Sequence, residues 1–427
     1  MSAARFLYSL LLLLVAPLIV LRLLWRARRQ PAYLQHIGER FGFYSVLPRA
    51  PLIWLHAVSV GETRACAPLI ATLKKQFPAH TILLTHMTPT GRETGEQLFG
   101  ADVMRCYLPY DYPFAVKRFL AHFQPDLGLL VETEVWPNLI HACRMRHVPI
   151  TLVNARLSAK SAQRYELIAR LARETFAGLN RVCAQTEADA RRLTQLGAHQ
   201  VEVFGNIKFD IAPPDNAQAS AANLRAQFGE RTVLLLASTR EGEEALLLDA
   251  FLRSTTPRPL LLIVPRHPQR FDEVASLVAQ HGLRLQRRSA NAAISPDTDV
   301  VLGDSMGEMF SFYGAADLAF IGGSLLPLGG QNLIEACAMG TPTIVGPHTY
   351  NFDEVTKQAI ALGAARRVVD ADMLFSEAQR LFADNTSRKQ MGEIGREFWQ
   401  QNQGAAARTV AALAPLLKRD TSDTIPP

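Results

Sequence analysis

The sequence is poor in cysteine and has no cysteine pair. Its five cysteines, Cys66, Cys106, Cys143, Cys183 and Cys337, are odd in number, scattered, and never in C-x-x-C spacing. That argues against a disulfide framework and against a zinc site, and fits reduced, buried thiols. The histidines do not fall at metal-ligand spacing. Two D-x-D strings occur, Asp297-Thr298-Asp299 and Asp370-Ala371-Asp372. The first lies in a proline-containing turn ahead of a strand and the second reads as a helix cap, so neither is expected to hold a metal. There is no G-x-G-x-x-G fingerprint and no Walker A loop, which disfavours NAD and ATP sites. Low-complexity stretches and short repeats are missing too. The charge excess is small, 45 Lys+Arg against 39 Asp+Glu for a net +6. No basic stripe with interleaved aromatics accompanies it, which excludes a nucleic-acid partner. A mild basic excess suits an anionic membrane surface or a phosphorylated ligand.

What is present is a long, foldable chain. Its 427 residues exceed one ordinary core, and 48% of them are hydrophobic. Two domains are expected. Residues 6–24 form an almost unbroken apolar run, closed by Trp25 and by Arg26, Arg28 and Arg29. At ~1.5 Å per residue such a helix approaches the ~30 Å of a bilayer core. The run is long for a signal peptide and lacks a small-residue cleavage site. The arginines after it place the rest of the chain in the cytosol. Pro17 and Arg22 leave open a helix lying in the membrane interface. Residues 1–30 are therefore expected to anchor the chain.

After the anchor, short apolar runs alternate with helical patterns. Strands are expected at 52–56, 81–85, 127–131, 149–153, 181–184 and 201–204. Two prolines at 213 and 214 break the rhythm. It restarts with strands at 232–237, 259–264, 299–302, 318–321 and 342–345. Apolar runs without polar alternation indicate strands buried on both faces of a parallel sheet. The expected architecture is α/β: two Rossmann-like domains, 31–210 and 211–427. Helical residues 387–418 are expected to pack back on the first domain.

In open α/β sheets, ligands sit beyond the carboxyl ends of the strands. After the strand LIWLH comes AVSVGET, which puts Glu62 near a helix N-terminus, where its ionised form is favoured. An ionised carboxylate there serves as a general base, or merely complements the helix dipole. After LGLLV comes ETEVWPNLI, with Glu132 and Glu134 at a strand end. A carboxylate in that place steadies positive charge on a sugar ring, or is a solvated acidic turn. Lys208, in GNIKFD, is either a cation for a departing phosphate or a surface lysine. Arg266 and His267, in PRHPQRF, follow a strand where phosphate-reading groups belong. The strongest signal is GGSLLPLGGQNLIEACAMGTPTIVGP. Two glycine pairs lead into a helix expected near Gln331 or Asn332, with Glu335 in its first turn and backbone N–H groups open to an anion.

WLHAVSVGET, ETEVWPNLI, NARLS, PRHPQRF and GGQNLIEACAMGTPTIVGP, in this order, resemble the bacterial 3-deoxy-D-manno-octulosonic acid (Kdo) transferase family, over essentially the whole chain. The resemblance implies a GT-B fold, two Rossmann-like domains facing a cleft. It implies CMP-Kdo as donor, a lipid A precursor as acceptor, inversion at the anomeric carbon, and neither metal nor cofactor. Localisation would be the cytoplasmic side of the bacterial inner membrane, among its lipids. Glu62 stands where the family has its base. Glu132 and Lys208 stand where it has transition-state-stabilising groups. Arg266, His267, Met306, Gly307, Glu308, Asn332, Leu333, Ile334 and Glu335 stand where it binds CMP. The rivals are a GT-B enzyme using a UDP-sugar, a nucleotide-sugar epimerase, a non-catalytic nucleotide-binding membrane protein, and a two-lobed periplasmic binding protein. The unpaired cysteines and the arginines after the apolar run oppose the last.

Overall fold

A computed structural model describes residues 2–255 and 257–417. The chain divides into two compact units. One is Met1–Ile211 with the segment from Gln403 onward, and the other is Ala212–Asn402.

The first unit carries seven strands: β1 (Leu52–His56), β2 (Thr81–His86), β3 (Met104–Tyr107), β4 (Leu127–Val131), β5 (Ile150–Ala155), β6 (Arg181–Ala184) and β7 (Val201–Val203). They form one parallel sheet in the order β3-β2-β1-β4-β5-β6-β7. Alternate residues serve opposite faces. Leu52, Trp54, Leu83, Leu130, Leu152 and Val182 pack with Phe119, Phe123 and Phe176. Ile53, Leu55, Ile82, Leu84, Leu129 and Val153 pack with Leu69, Ile70 and Leu73 on the other face. Ala405, Ala406, Val410 and Leu413 of the last helix, Ala405–Leu417, join that second cluster. Asp210 holds the start of this helix by accepting from the N–H groups of Gly404 and Ala406. The helical stretch expected at 387–418 is thus two helices, Asn385–Gln401 and Ala405–Leu417, separated around Gly404, whose φ is +87°. Lys418 lies outside the described residues.

Strand gives way to helix at capping residues. Ser59, Thr88, Ser158 and Thr186 follow β1, β2, β5 and β6 and accept from the N–H groups of Glu62, Gly91, Ser161 and Asp189. Each satisfies one of the otherwise unpaired donors of a helix start.

The second unit repeats the plan with β8 (Val233–Thr239), β9 (Leu260–Pro265), β10 (Leu285–Arg287), β11 (Val300–Leu302), β12 (Leu318–Ile321), β13 (Thr343–Val345) and β14 (Ala365–Arg367). Its parallel sheet runs β10-β11-β9-β8-β12-β13-β14. The apolar-run reading found every strand but β3, β10 and β14, and all three are edge strands. The helix expected to open near Gln331 begins at Ile334.

The N-terminal run departs from expectation. It forms two helices, Ala3–Leu14 and Ala16–Arg29, bent by 49°. Among the described residues no single helix is long and apolar enough to cross a membrane. Pro17 has no N–H to offer the Leu13 carbonyl, and its ring clashes with that group, so the ladder breaks there. The first helix docks on the first unit through polar groups. Ser9 hydrogen-bonds Asn138 at 3.1–3.2 Å, and the Tyr8 hydroxyl donates to Asp111. The Tyr112 hydroxyl donates to the Leu12 carbonyl at 3.1 Å. Ser9 is 6% exposed, whereas Leu7, Leu14 and Leu21 are 60–69% exposed.

Packing under β4 yields a stability prediction. A Cβ at Gly128 would stand 2.3 Å from Ile150 Cδ1 and 2.8 Å from Trp54 Cε3. Gly128→Ala should destabilise the first unit by roughly 1–3 kcal/mol, as overpacking does. Urea denaturation followed by tryptophan fluorescence would read the loss, and an unchanged midpoint would contradict the packing described.

Candidate active site

In the first sheet, β1 and β4 are neighbours whose chains leave in opposite directions, β1 toward β2 and β4 toward β5. Their carboxyl ends form the switch point where a ligand finds room. Glu62 comes from the loop after β1 and Glu132 from the residue after β4.

Glu62 is built by a capping box, Ser59-Val60-Gly61-Glu62. The Ser59 side chain accepts from the Glu62 N–H, while the Glu62 carboxylate reaches back. It accepts from the Val58 N–H at 2.7 Å and from the Ser59 hydroxyl at 2.9 Å. Burial raises its pKa to about 7, with Glu132 next and Glu134 adding to the rise, against the two hydrogen bonds. A carboxylate near 7 is matched to proton abstraction at neutral pH.

Glu132 has a left-handed backbone, φ +61°. For a residue with a side chain that costs on the order of 1–2 kcal/mol, and such strain collects at functional sites. Its N–H donates to the Val153 carbonyl at 2.9 Å. Its carboxylate pairs with Lys208 Nζ at 2.9 Å, the two side chains being 21% and 16% exposed. Lys208 is held from behind. Asn206 accepts its backbone N–H at 3.0 Å, and Asn154 accepts the Ile207 N–H at 3.1 Å. Asn154, one residue before the end of β5, has φ +52°, and its buried Nδ2 has no hydrogen-bond partner among the described residues. Glu134 accepts from the Trp136 indole at 3.0 Å, and burial, ahead of Glu132, raises its pKa. The structure therefore brings Glu62, Glu132, Glu134 and Lys208 into one electrostatic group. Beneath them His56 and His86 are buried, and burial pushes their imidazoles down to about 3 and about 4. They stay neutral and structural.

The residues expected to read a nucleotide lie at strand ends of the second unit. Arg266 and His267 follow β9. Arg266 Nε donates to Gln331 at 3.1 Å, which ties β9 to the glycine-rich loop after β12. Gln331 and Gly330 donate their N–H groups to Gly322 and Gly323 at 3.0 and 2.7 Å, folding that loop back on itself. The Asn332 side chain accepts the Ile334 N–H at 3.0 Å and donates to Glu335 at 3.3 Å. Leu333 and Ile334 are buried, so their side chains are core and only their backbone faces outward chemistry. Met306, Gly307 and Glu308 follow β11. Met306 is exposed, and Glu308 pairs with Arg288 at 2.9 Å.

Two contributors escaped the sequence reading. Ser59 carried a legible signal, the S-x-x-E box. Asn154 opens the NARLS string, but nothing in that string shows the left-handed backbone on which its role depends. Among the described residues no three His, Cys, Asp or Glu side chains are grouped to hold a metal ion.

Residues 35–211 match the family model described as 3-deoxy-D-manno-octulosonic-acid transferase (kdotransferase). The chain is 48% identical to the 3-deoxy-D-manno-octulosonic acid transferase of Bordetella pertussis, covering 96% of this chain and 98% of that one. It belongs to the Kdo transferase family. A second member, from Haemophilus influenzae, is 38% identical over 97% of this chain and 99% of its own. Among solved structures, the UDP-GlcNAc 2-epimerase of Neisseria meningitidis bound to UDP-GlcNAc aligns with a TM-score of 0.58 at 16% identity, covering 85% of this chain and all of that one. A glycosyltransferase from Rickettsia africae aligns at 0.57 and 14% identity, covering 88% of this chain and all of that one. At such identities the likeness is one of fold. The family member described here has a GT-B-like fold with two parallel sheets.

The group around Glu62 makes a testable claim. Infrared difference titration of wild type against Glu62→Gln should place the Glu62 midpoint near 7. Removing the neighbouring charge in Glu132→Gln should lower that midpoint by roughly one pH unit. A midpoint that does not move would show that Glu132 does not act on Glu62.

Proposed function

We propose that the chain transfers Kdo from CMP-Kdo to a lipid A precursor, with inversion at the anomeric carbon and without a metal ion. The observation that carries this reading is Glu62, a carboxylate poised near neutrality at the switch point of a Kdo transferase family member. Glu62 takes the proton from the acceptor hydroxyl as its oxygen bonds to the anomeric carbon. The bond from that carbon to the phosphate oxygen breaks, and CMP leaves with the electron pair. Glu132 steadies positive charge on the sugar ring, and Lys208, held at 2.9 Å from it, offers a cation to the departing phosphate. A single phosphodiester develops less charge on leaving than a pyrophosphate, so side-chain cations suffice. In the second unit Arg266, His267, the 306–308 loop, Asn332 and Glu335 take the CMP moiety.

The N-terminal helices seat the enzyme on the inner membrane, with both units on the cytoplasmic side. Their support is directional: Phe6, Leu7, Leu10, Leu11, Leu14, Leu18 and Leu21 face outward while Ser9 faces the protein. Arg22, Arg28 and Arg29 are exposed beside them, ready for anionic headgroups. The seat lies in the interface rather than through the bilayer. A UDP-sugar reading gains nothing from the epimerase likeness, which concerns the fold.

Three measurements check this reading. Incubation with CMP-Kdo and tetra-acylated lipid A precursor should add the mass of Kdo to the lipid, and Glu62→Ala should slow this ~10²–10⁴-fold. Near-normal turnover in the variant would remove Glu62 as base. Because Glu62 must be ionised, kcat/KM of the wild type should fall as pH drops through about 7, tenfold per unit. A profile flat down to pH 5 would contradict the assignment. For the seat, Leu7→Glu with Leu11→Glu should weaken binding to anionic vesicles at least roughly tenfold, since each buried leucine contributes about 1.5–3 kcal/mol. Unchanged binding would show that this face does not meet lipid.

A further inference from the structure

The second sheet has its own switch point, between β8 and β12. None of the CMP-reading residues comes from β8, although β8 is the strand that borders it. The turn from β8 into the next helix, Ser238-Thr239-Arg240-Glu241-Gly242-Glu243, is tightly specified. Ser238 is left-handed at φ +55°. Glu243 is fully buried, and its carboxylate accepts from the N–H groups of Arg240 at 3.0 Å, Gly323 at 2.6 Å and Leu325 at 2.9 Å. It therefore clamps the β8 loop to the glycine-rich loop after β12.

That clamp sets the Arg240 side chain against Gly323. A Cβ at Gly323 would stand 3.4 Å from Arg240 Cγ and 3.1 Å from Gln331 Nε2. Arg240 thus shares a place with the residue that receives Arg266. Three guanidiniums, Arg240, Arg266 and Arg270, depress the His267 imidazole, after burial as the larger cause. Arg270 is neutralised by Glu244 at 2.7 Å and Glu273 at 2.9 Å. Arg240 is half-buried, and among the described residues no carboxylate forms an ion pair with it. A cation set on a clamped loop without an internal counter-ion is relieved by an anion from outside.

We propose that Arg240 is the donor-site residue that reads the carboxylate of the transferred sugar. The proposal rests on CMP-Kdo as the donor. Such a donor carries two anions, the phosphodiester and the carboxylate of the ulosonic acid. Arg266 and His267, after β9, take the first, which leaves Arg240, after the neighbouring β8, for the second. A nucleotide sugar without a carboxylate leaves Arg240 unmatched, so the residue selects acidic sugars. Glu243 is the positioning residue behind it.

The test compares two constants in the full-length, detergent-purified enzyme: KM for CMP-Kdo and the inhibition constant of CMP. Arg240→Met should raise KM roughly 10- to 100-fold, the weight of a charge-assisted hydrogen bond, and leave CMP inhibition within about twofold. Arg240→Lys should recover part of the loss. If both constants rise together in both variants, Arg240 reads the phosphate or merely shapes the loop, and the proposal fails. If neither moves, it fails as well. A thermal-unfolding midpoint equal to wild type guards the Met variant against misfolding, and the Lys variant carries the comparison if that midpoint drops. Failure of the wild type to be inhibited by CMP would overturn the donor reading and this proposal with it. Normal inhibition with an unmoved KM would overturn this proposal alone.

Discussion

Two neighbouring parallel strands whose chains depart in opposite directions decide where chemistry can occur in each unit. Between β1 and β4, and again between β8 and β12, the connecting segments separate and leave the carboxyl ends uncovered. Everything placed there must come from the loops of those strands or their neighbours. That is why Glu62 and Glu132, 70 positions apart in sequence, meet, and why a strained backbone at Glu132 is tolerated beside them. The sheet supplies the rigidity: β1 and β4 are buried throughout, so the loops they carry start from fixed points.

The two units use the same device for opposite ends. In each, a carboxylate after the first central strand reaches back to a backbone N–H of its own loop, Glu62 to Val58 and Glu243 to Arg240. Glu243 is saturated by three N–H groups from two loops and fully buried. Both of its oxygens are engaged, Oε2 by Arg240 and Gly323 and Oε1 by Leu325, so it is a clamp. Glu62 has one N–H and one hydroxyl, and two other carboxylates near it. It is poorly stabilised as an anion, which is what a base requires. Burial is the largest cause at both and raises both carboxylates; the three N–H groups on Glu243 oppose that rise, and at Glu62 the neighbouring carboxylates add to it.

How much of this was legible in the sequence follows the same physics. Central strands, buried on both faces, write themselves as apolar runs. The three strands that were missed, Met104–Tyr107, Leu285–Arg287 and Ala365–Arg367, lie at sheet edges and carry arginines, as edges must to avoid pairing with other chains. Glu62, Glu132, Arg266 and His267 were legible because they follow central strands. Asn154, within the end of β5, and Arg240, just after β8, were given no role. Asn154 acts through a left-handed backbone, and Arg240 matters because of what it touches, Gly323, some 80 residues on. Leu333 and Ile334 show the converse: a run of consecutive positions was carried over whole, and the structure puts two of its side chains in the core.

The N-terminal segment has a direction that hydropathy alone does not show. A run of leucines scores as a span whichever way its faces point. Here the first helix turns Ser9 and Tyr8 inward, because what awaits them is polar: Asp111, already accepting from Asn138 and Leu139 at a helix start, and the Asn138 side chain. With Ser9 and Tyr8 inward, Leu7, Leu11 and Leu14 are turned outward. These bonds make the first helix part of the first unit. Its orientation is then set by the protein. The proposed seat on the membrane places the first unit at a fixed attitude to the lipid surface, which is what a soluble donor and a lipid acceptor need in order to meet at one base.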